Sequence, residues 1–378
     1  MLLSAVAAVK AYAHVMATAW AQNRAAERIA KLGAAGLADR ELRRAVLDVL
    51  QQVIGFSADV WLLTDPLTEV GSAPLADVPC LPELPGLVKS KYATDVNRWT
   101  HMRRQGVSVR LLTEATGGEL ARSQVWRDVL NRYGIADVAS AVFADQHGCW
   151  GFLDLWRSDA DGPFDATDAD FLAKVAASLA GALRRSQAQT FIQAATVGRQ
   201  DAGPVVLTLD DGLRIIGRTA ASRAWLDTLL PPGPDGQAIP ASVYNVAAQL
   251  LAVESGIDDH PAYARTHLSD GFWLTLRAAR LSSDVEPDTP AGAVPSIAVT
   301  IEEASAADRL DLFGRAFGLT PRERELLSLV ATGSDTRTLA RQMSLSEHTV
   351  TDHLKSIFAK TGARDRVTVL SRALGTRN

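Results

Sequence analysis

The chain of 378 residues carries a formal net charge of −4 and is 47% hydrophobic and 22% charged. These values are typical of a globular protein with two or three domains. The two cysteines, Cys80 and Cys149, lack the spacing of metal ligands, and we expect small buried side chains in a reducing cytosol. No apolar run approaches about 18 residues, so we expect neither a membrane span nor a signal peptide.

Residues 1–190 are predicted to form the first of two α+β domains, with helices on either side of antiparallel strands. A proline-rich loop is predicted over residues 71–86. The segment Gly151–Arg157, followed by Phe164 and Asp168, resembles the end of a GAF domain. The predicted elements are helices within Met1–Ile54, strands Ala58–Thr64, Val107–Leu112, Ala139–Phe143 and Trp150–Arg157, and a helix Phe164–Ser186 capped near Asp165 or Thr167.

The first domain is rich in aromatic side chains. A GAF-like sheet commonly holds a small ligand, and apolar walls with a few polar groups suit such a site. The simpler interpretation is that the rings fill the core. No Cys–His pair indicates a bilin and no cluster of ligands indicates a metal, so no cofactor is evident and any effector is an unknown small molecule. The candidate ligand-binding residues are Trp61, Tyr92, Trp99, Trp126 and Trp150.

Residues 191–305 are predicted to form a second α+β domain whose element order resembles a PAS domain. His260 and His267 are its only candidate haem ligands, and we expect them to be surface or loop histidines. The predicted elements are strands Pro204–Leu209 and Leu213–Ile216, helices Thr219–Leu230 and Pro240–Ser255, and strands Thr266–Leu268, Phe272–Leu281 and Ser296–Glu302.

Residues 306–378 are predicted to form an all-α domain of four helices. Thr320 and Glu323 have the spacing of a capping box, with Pro321 at the first helical position, where its missing N–H costs nothing. Later helices are predicted over Thr336–Met343, from the N-cap Ser346 to Lys360, and over Arg364–Leu374.

The third of these helices is amphipathic. Val350, Leu354, Ile357 and Phe358 share one face at helical spacing, which leaves the opposite face free. Residues 315–378 contain eleven Lys/Arg and six Asp/Glu, a net charge of +5, whereas the whole chain is −4. Because phosphate contacts supply most non-specific affinity, a basic module on an acidic body is the charge pattern of a DNA-binding protein.

The opening Leu319–Leu326, the turn Leu345–Val350 and the run His353–Lys360 together resemble the LuxR/GerE-type helix-turn-helix domain over Phe317–Leu374. The resemblance implies a transcriptional regulator that places residues 347–360 in the major groove of double-stranded DNA. It also implies a homodimer on half-sites about one DNA turn apart. Candidate dimer surfaces are Arg364–Leu374 and Phe164–Ser186.

One position departs from the family. Members often carry Lys in the place of Thr351 and a small or apolar residue in that of Asp352. A carboxylate on the groove face repels phosphate, yet it can accept a hydrogen bond from cytosine N4. The residues expected to contact DNA are Arg322, Arg337, Ser346, His348, Thr349, Thr351, Asp352, Lys355, Lys360, Arg364 and Arg366.

Other classes of protein fit the sequence less well. There is no nucleophile elbow, P-loop, Rossmann glycine cluster or pair of zinc ligands, so we do not expect an enzyme. A phospho-receiver needs an acidic pair after its first strand, but the first acid, Glu27, lies in a helical stretch. The main alternative is an interaction protein whose helical tail binds a partner such as an RNA polymerase subunit without touching DNA. We expect a cytoplasmic protein associated with the bacterial nucleoid.

Overall fold

The computed structural model describes residues 19–192, 205–222, 241–267, 272–281 and 296–375. Most of the helix predicted over Thr219–Leu230, and the start of the N-terminal helical segment, lie outside these ranges. Two five-stranded antiparallel sheets with helices precede a helical C-terminal region, so the predicted order of two α+β units and an all-α unit is confirmed. No helix within the described ranges is long and apolar enough to cross a membrane.

The first sheet has the strand order β2-β1-β5-β4-β3. Its elements are α1 (residues 19–34), α2 (Asp39–Val53), β1 (Ala58–Thr64), β2 (Gly71–Asp77), α3 (Leu84–Ala93), α4 (Trp99–Arg104), β3 (Val109–Leu111), α5 (Leu112–Thr116), α6 (Gln124–Asp128), β4 (Ile135–Asp145), β5 (Gly148–Ser158) and α7 (Ala166–Thr190).

The prediction of a loop over residues 71–86 is wrong in part, because these residues include β2 and the start of α3. Pro74 is tolerated in β2 because that strand lies at the sheet edge, where a missing N–H breaks no inner ladder. Pro85 stands in the first turn of α3, where no intrahelical bond needs its N–H. The prolines therefore mark an edge strand and a helix start.

The two faces of the first sheet pack against different helices because successive side chains of a strand point to opposite sides. Trp61 and Leu155 share a core with Phe171 and Leu179 of α7. That helix begins at Ala166, and its N-cap is Asp165, one of the two predicted candidates. The Asp165 side chain accepts from the N–H of Asp168 in a capping box. The opposite face, with α3 and α4, carries the cavity described below.

The second sheet has the strand order β7-β6-β10-β9-β8. Asn245 reaches the first unit, where its amide donates to the carbonyl of Gly71 at 3.0 Å. Val88 and Tyr92 of α3 share a core cluster with Leu207 and Val246, so the two units share apolar packing. The elements are β6 (Val205–Leu209), β7 (Ile215–Arg218), α8 (Ala241–Glu254), β8 (Tyr263–His267), β9 (Trp273–Leu281) and β10 (Ser296–Glu303).

The C-terminal region packs on both sheet units. Phe191, which follows α7, stacks on Trp273 with ring centroids 5.2 Å apart and meets Phe313 edge-on at 5.4 Å. Rings from the end of α7, from the second sheet and from the C-terminal helices thus meet at a single point. The helices are α9 (Ala306–Ala316), α10 (Pro321–Val330), α11 (Thr336–Met343), α12 (Glu347–Thr361) and α13 (Arg366–Leu374).

Candidate nucleic-acid interface and a cavity in the first unit

The turn between α11 and α12 has the geometry of a helix-turn-helix. Ser344 ends α11 in the left-handed conformation with φ 54°, and the N–H of Leu345 returns to the carbonyl of Ala340 at 2.9 Å. Ser346 then caps α12, because its hydroxyl accepts from the N–H of Thr349 at 3.1 Å. The predicted bounds of α11 and the predicted cap of α12 are both confirmed.

The faces of α12 divide as the sequence pattern predicts. Val350, Leu354 and Ile357 are buried against the neighbouring helices, and Phe358 is partly buried there. His348, Thr351, Asp352 and Lys355 are exposed on the other side. Because α12 has 15 residues and its outer face is not covered by the rest of the described chain, it can enter a DNA groove.

The exposed face has a small charge cluster centred on Asp352. Its carboxylate lies 3.2 Å from Lys355 Nζ and 3.4 Å from His348 Nε2. All three side chains are more than half exposed, so solvent screens these contacts and they hold the side chains only weakly. The cluster can therefore open to place the ammonium of Lys355 on phosphate and the carboxylate on a base.

The ammonium group of Lys360 is paired with another side chain of the same domain. Its Nζ lies 2.6 Å from Glu323, which also accepts from the Ser356 hydroxyl at 2.6 Å and from the N–H of Thr320 at 2.7 Å. Burial of Glu323 acts to raise its pKa, but the hydrogen bonds from Lys360, Ser356 and Thr320 outweigh burial and lower the pKa to about 2. Glu323 thus ties α10 to α12, and the DNA contact of Lys360 stays a prediction.

The remaining candidates for DNA contact lie around α12. Arg337 and Arg364 are exposed. Arg322 is exposed beside Glu325 at 2.7 Å, whereas Arg366 donates to the Thr336 hydroxyl at 2.8 Å. These positions could hold the DNA backbone on either side of the groove helix, since backbone contacts position a protein without reading sequence.

Hydrogen bonds from two arginine side chains join the start of the C-terminal helical region to the first unit. Arg184 of α7 donates to the carbonyl of Ala316 at 3.2 Å and contacts Asp145 at 2.8 Å. Arg315 donates to the carbonyl of His147 at 3.1 Å. These contacts place the start of the helical region against the β4–β5 turn, and the sequence contains no local signal for them.

A cavity of about 260 Å³ lies between the outer face of the first sheet and α3. Of the candidate ligand-binding residues, Tyr92 and Trp99 line it. Trp61 and Trp150 belong to the core on the α7 side of the sheet, and Trp126 donates its indole N–H to the carbonyl of Ile135 at 2.9 Å. Trp156, another aromatic residue of the first domain, also lines it, and polar lining residues that the sequence pattern did not single out include Lys91, Asn97, Asp154 and Asn245.

The two candidate haem ligands lie in the second unit. His260 is partly buried, with Nδ1 2.6 Å from Asp258 Oδ1, and the ring of His267 lies 5.4 Å from that of Trp273. Asp258, Asp259 and His260 have atoms close enough to hold a cation, but Asp258 is already bonded by Arg98 and Thr100. The Asp258 carboxylate therefore already serves a structural role, in the hydrogen bonds that it accepts from Arg98 and Thr100.

Comparison with known proteins identifies the C-terminal region. Residues 318–373 match the family described as "Bacterial regulatory proteins, luxR family". Over 85 residues, 20% of this chain and 35% of the relative, the chain is 35% identical to "Probable HTH-type transcriptional regulator GfsR" of Streptomyces halstedii. Over 63 residues, 17% of this chain and 32% of the relative, it is 35% identical to "Transcriptional regulatory protein DesR" of Bacillus subtilis (strain 168).

The chain thus spans about a third of the length of these curated relatives. Its C-terminal region is a GerE/LuxR-type helix-turn-helix domain. A Vibrio cholerae VqmA–ligand–DNA complex is 17% identical, covers 46% of this chain and 82% of that chain, and has a TM-score of 0.21. At this score the likeness supports no conclusion about the overall arrangement, and the GAF-like and PAS-like assignments stay predictions.

Proposed function

We propose that the chain is a DNA-binding transcriptional regulator in which α12 reads the major groove and the two sheet units control that reading. The observation that carries the proposal is the exposed outer face of α12, in a helix-turn-helix whose turn, cap and buried face are all in place. Relatives that are transcriptional regulators support the same function.

The side chains of α12 contact different parts of the DNA according to their chemistry. Lys355 contributes charge toward phosphate, and its contact supplies affinity that salt weakens. The Asp352 carboxylate accepts from the exocyclic amine of cytosine and is repelled by any phosphate nearby. The hydroxyl of Thr351 donates to the carbonyl of Glu347 at 2.8 Å, which leaves its methyl group free for an apolar contact with thymine.

Two copies bind neighbouring half-sites, and α13 is the better candidate for the contact between them. Val367 of α13 is 59% exposed. The apolar residues of α7, such as Phe171, Val175 and Leu179, are buried in the core of their own unit, which leaves α7 little apolar surface for a partner. A homodimer through α13 spaces two copies of α12 for half-sites about one turn apart.

Control passes through a junction of charged side chains at α9. Arg265 of the second sheet contacts Asp65 of the first unit and also Asp311 of α9, at 2.6 Å and 3.0 Å. Arg315 and Arg324 share Asp311 at 3.0 Å and 3.5 Å. Because α9 leads into the helix-turn-helix, a change in how the two sheets meet shifts the population of DNA-competent arrangements.

A gel-shift titration of the full chain against genomic fragments at several salt concentrations tests the DNA-binding function. We expect binding whose affinity falls steeply with salt, because phosphate contacts release counterions. Absence of a shift at low salt would contradict the proposal and favour a tail that binds a protein partner.

A further inference from the structure

The cavity in the first unit is mostly apolar but has a defined polar interior. Strands β1, β4 and β5 contribute Val60, Val138 and Trp156 to its floor, and α3 contributes Leu87, Val88 and Tyr92 to its roof. Its volume of about 260 Å³ is just below the range of roughly 300–1,000 Å³ for small-molecule sites. The site thus has room for a compact molecule.

The charged groups inside the cavity neutralise one another. Lys91 Nζ lies 2.7 Å from Asp154 Oδ2 and 4.2 Å from the centre of the Trp99 ring. The indole N–H of Trp99 donates to Asp154 Oδ1 at 3.0 Å. Both charged side chains are about nine-tenths buried, so a further charge in this space would be desolvated without a free counter-charge. The interior therefore disfavours an ionised ligand.

Two other lining residues each have a buried polar atom without a hydrogen-bond partner among the described residues. These atoms are Trp156 Nε1, a donor, and Asn97 Oδ1, an acceptor. Trp156 is 2% exposed and Asn97 is 3% exposed. Buried polar groups in folded proteins are almost always paired, so an unpaired donor and an unpaired acceptor on two residues that line one cavity are candidates to pair with a bound group that reaches them.

We infer that this cavity binds a compact, uncharged molecule with an aromatic or branched hydrocarbon body. The molecule carries a hydrogen-bond acceptor for the indole N–H of Trp156 and a donor for Asn97 Oδ1, as an amide does. Only one part of the inference rests on the proposed function, namely that this molecule is the effector of the regulator. Binding itself is independent of DNA.

The roof helix α3 gives such a molecule a direct contact with the second unit. Tyr92 lines the cavity and also packs in the core cluster of the second sheet. Its carbonyl accepts from Arg98, and Arg98 is paired with Asp258 of the second unit at 2.6 Å with both side chains buried. A ligand that displaces α3 therefore changes the packing between the two units.

The alternative is that the cavity binds an anion, held at its open end. Arg40 and Arg44 of α2 also line the site, and Arg44 is exposed. Three probes of nearly equal shape separate the two chemistries: 3-phenylpropanamide, its methyl ester analogue methyl 3-phenylpropanoate, and the anion 3-phenylpropanoate. Isothermal titration of each probe into the full chain without DNA measures the three affinities.

We expect the amide to bind at least about tenfold more tightly than the carboxylate, because only the carboxylate brings an uncompensated charge into the cavity. The ester, which accepts but does not donate, falls between them. Equal or tighter binding of the carboxylate would overturn the inference in favour of an anion at Arg40 and Arg44. Binding of none of the probes up to their solubility limits would overturn it as well.

Two substitutions assign the hydrogen bonds. Trp156→Phe removes the unpaired donor and should weaken both the amide and the ester roughly three- to tenfold. Asn97→Gly removes the unpaired acceptor at a position with φ 51°, which glycine adopts readily, and should weaken only the amide. Thermal melts of the unliganded variants check that each variant folds.

The matched control is Trp61→Phe. The indole nitrogen of Trp61 is also buried without a partner in the part of the chain that the structure describes, but Trp61 lies in the core on the other side of the sheet and does not line the cavity. This variant should bind all three probes as the natural chain does. Unchanged binding in Trp156→Phe, or an equal loss in Trp61→Phe, would overturn the assigned pose. A chain that binds the amide but fails to shift DNA would refute the proposed function alone.

Discussion

Arg265 and Asp65 form a buried ion pair between residues 200 positions apart. Nε and Nη2 of Arg265 lie 2.6 Å and 2.8 Å from the two carboxylate oxygens, and both side chains are at most 1% exposed. Burial acts to raise the pKa of Asp65, but the Arg265 charge and the N–H groups of Leu67 and Thr68 hold the pKa below its usual range. The pair is a buried polar link between the two sheet units, as is the pair Arg98–Asp258.

Arg265→Ala should destabilise the chain by about 3–5 kcal/mol, because it leaves the Asp65 carboxylate buried without its counter-charge. Urea unfolding measures the loss. Arg104→Ala is the matched control, since Arg104 pairs with Asp259 where both are more than half exposed and should change stability little. Equal effects of the two substitutions would show that the buried pair does not hold the units together.

Asp59→Asn should stabilise the chain at neutral pH. Burial and the nearby charge of Asp77, its cross-strand partner, raise the pKa of Asp59 from 3.8 to about 6. A raised carboxyl pKa favours the neutral folded form, so the natural chain loses stability as pH rises from about 4 to about 6. The variant escapes that loss.

The expected gain for Asp59→Asn is roughly 1–3 kcal/mol at pH 7, since each unit of pKa shift is worth about 1.4 kcal/mol. It should vanish near pH 4. Chemical denaturation at both pH values measures this difference, with the exposed Asp48→Asn as control. A gain that is the same at pH 4 and pH 7 would rule out ionisation as its cause.

Glu323→Gln should weaken the helix-turn-helix domain in a pH-dependent way. The pKa of Glu323 falls from 4.5 to about 2 in the folded chain, so its ionised form contributes stability that is complete above pH 4.5 and is lost as pH falls toward 2. The difference between the natural chain and the variant should therefore shrink from pH 6 to pH 3.

Unfolding of the C-terminal helices followed by hydrogen exchange at several pH values measures the contribution of Glu323. Glu325→Gln is the control on the same helix, because its side chain is 45% exposed beside Arg322. A difference that does not change with pH would mean that the Glu323 carboxylate does not tie α10 to α12 by its charge.

Lys355→Ala should weaken binding to all DNA sequences by similar factors and reduce the log–log salt slope by about 1. Asp352→Ala should instead tighten binding to non-specific DNA, because it removes a repelling carboxylate, and relax the preference at one base pair. Fluorescence anisotropy at several salt concentrations measures both effects. Lys89→Ala is the control. Lys89 is exposed on α3, far from α12 in the sequence, so this substitution should leave the DNA affinity unchanged.

Local features of the fold follow from the sequence. The capping box at Thr320 and the cap at Ser346 involve residues three apart, so spacing identifies them, and it narrows the cap of α7 to Asp165 or Thr167. The amphipathic pattern of α12 likewise predicts which residues it buries. These interactions depend on chemistry within one or two helical turns.

Long-range contacts do not follow from the sequence in this way. The spacing of residues contains no signal that pairs Arg265 with Asp65, or Lys360 with Glu323 at a separation of 37 positions. The cavity shows the same limit, since the aromatic count indicates a ligand site but cannot tell Trp156 on one face of the sheet from Trp61 on the other. Tertiary packing decides between those positions.

Guanine methylation interference tests the central claim most directly, on DNA that the full chain selects from random duplexes. Methylation at N7 blocks only contacts in the major groove. We predict two groups of interfering guanines about one helical turn apart and a changed base preference within each group for Asp352→Ala. Selection of no common sequence, or an unchanged preference after Thr351 and Asp352 are both replaced by alanine, would contradict reading of the groove by α12.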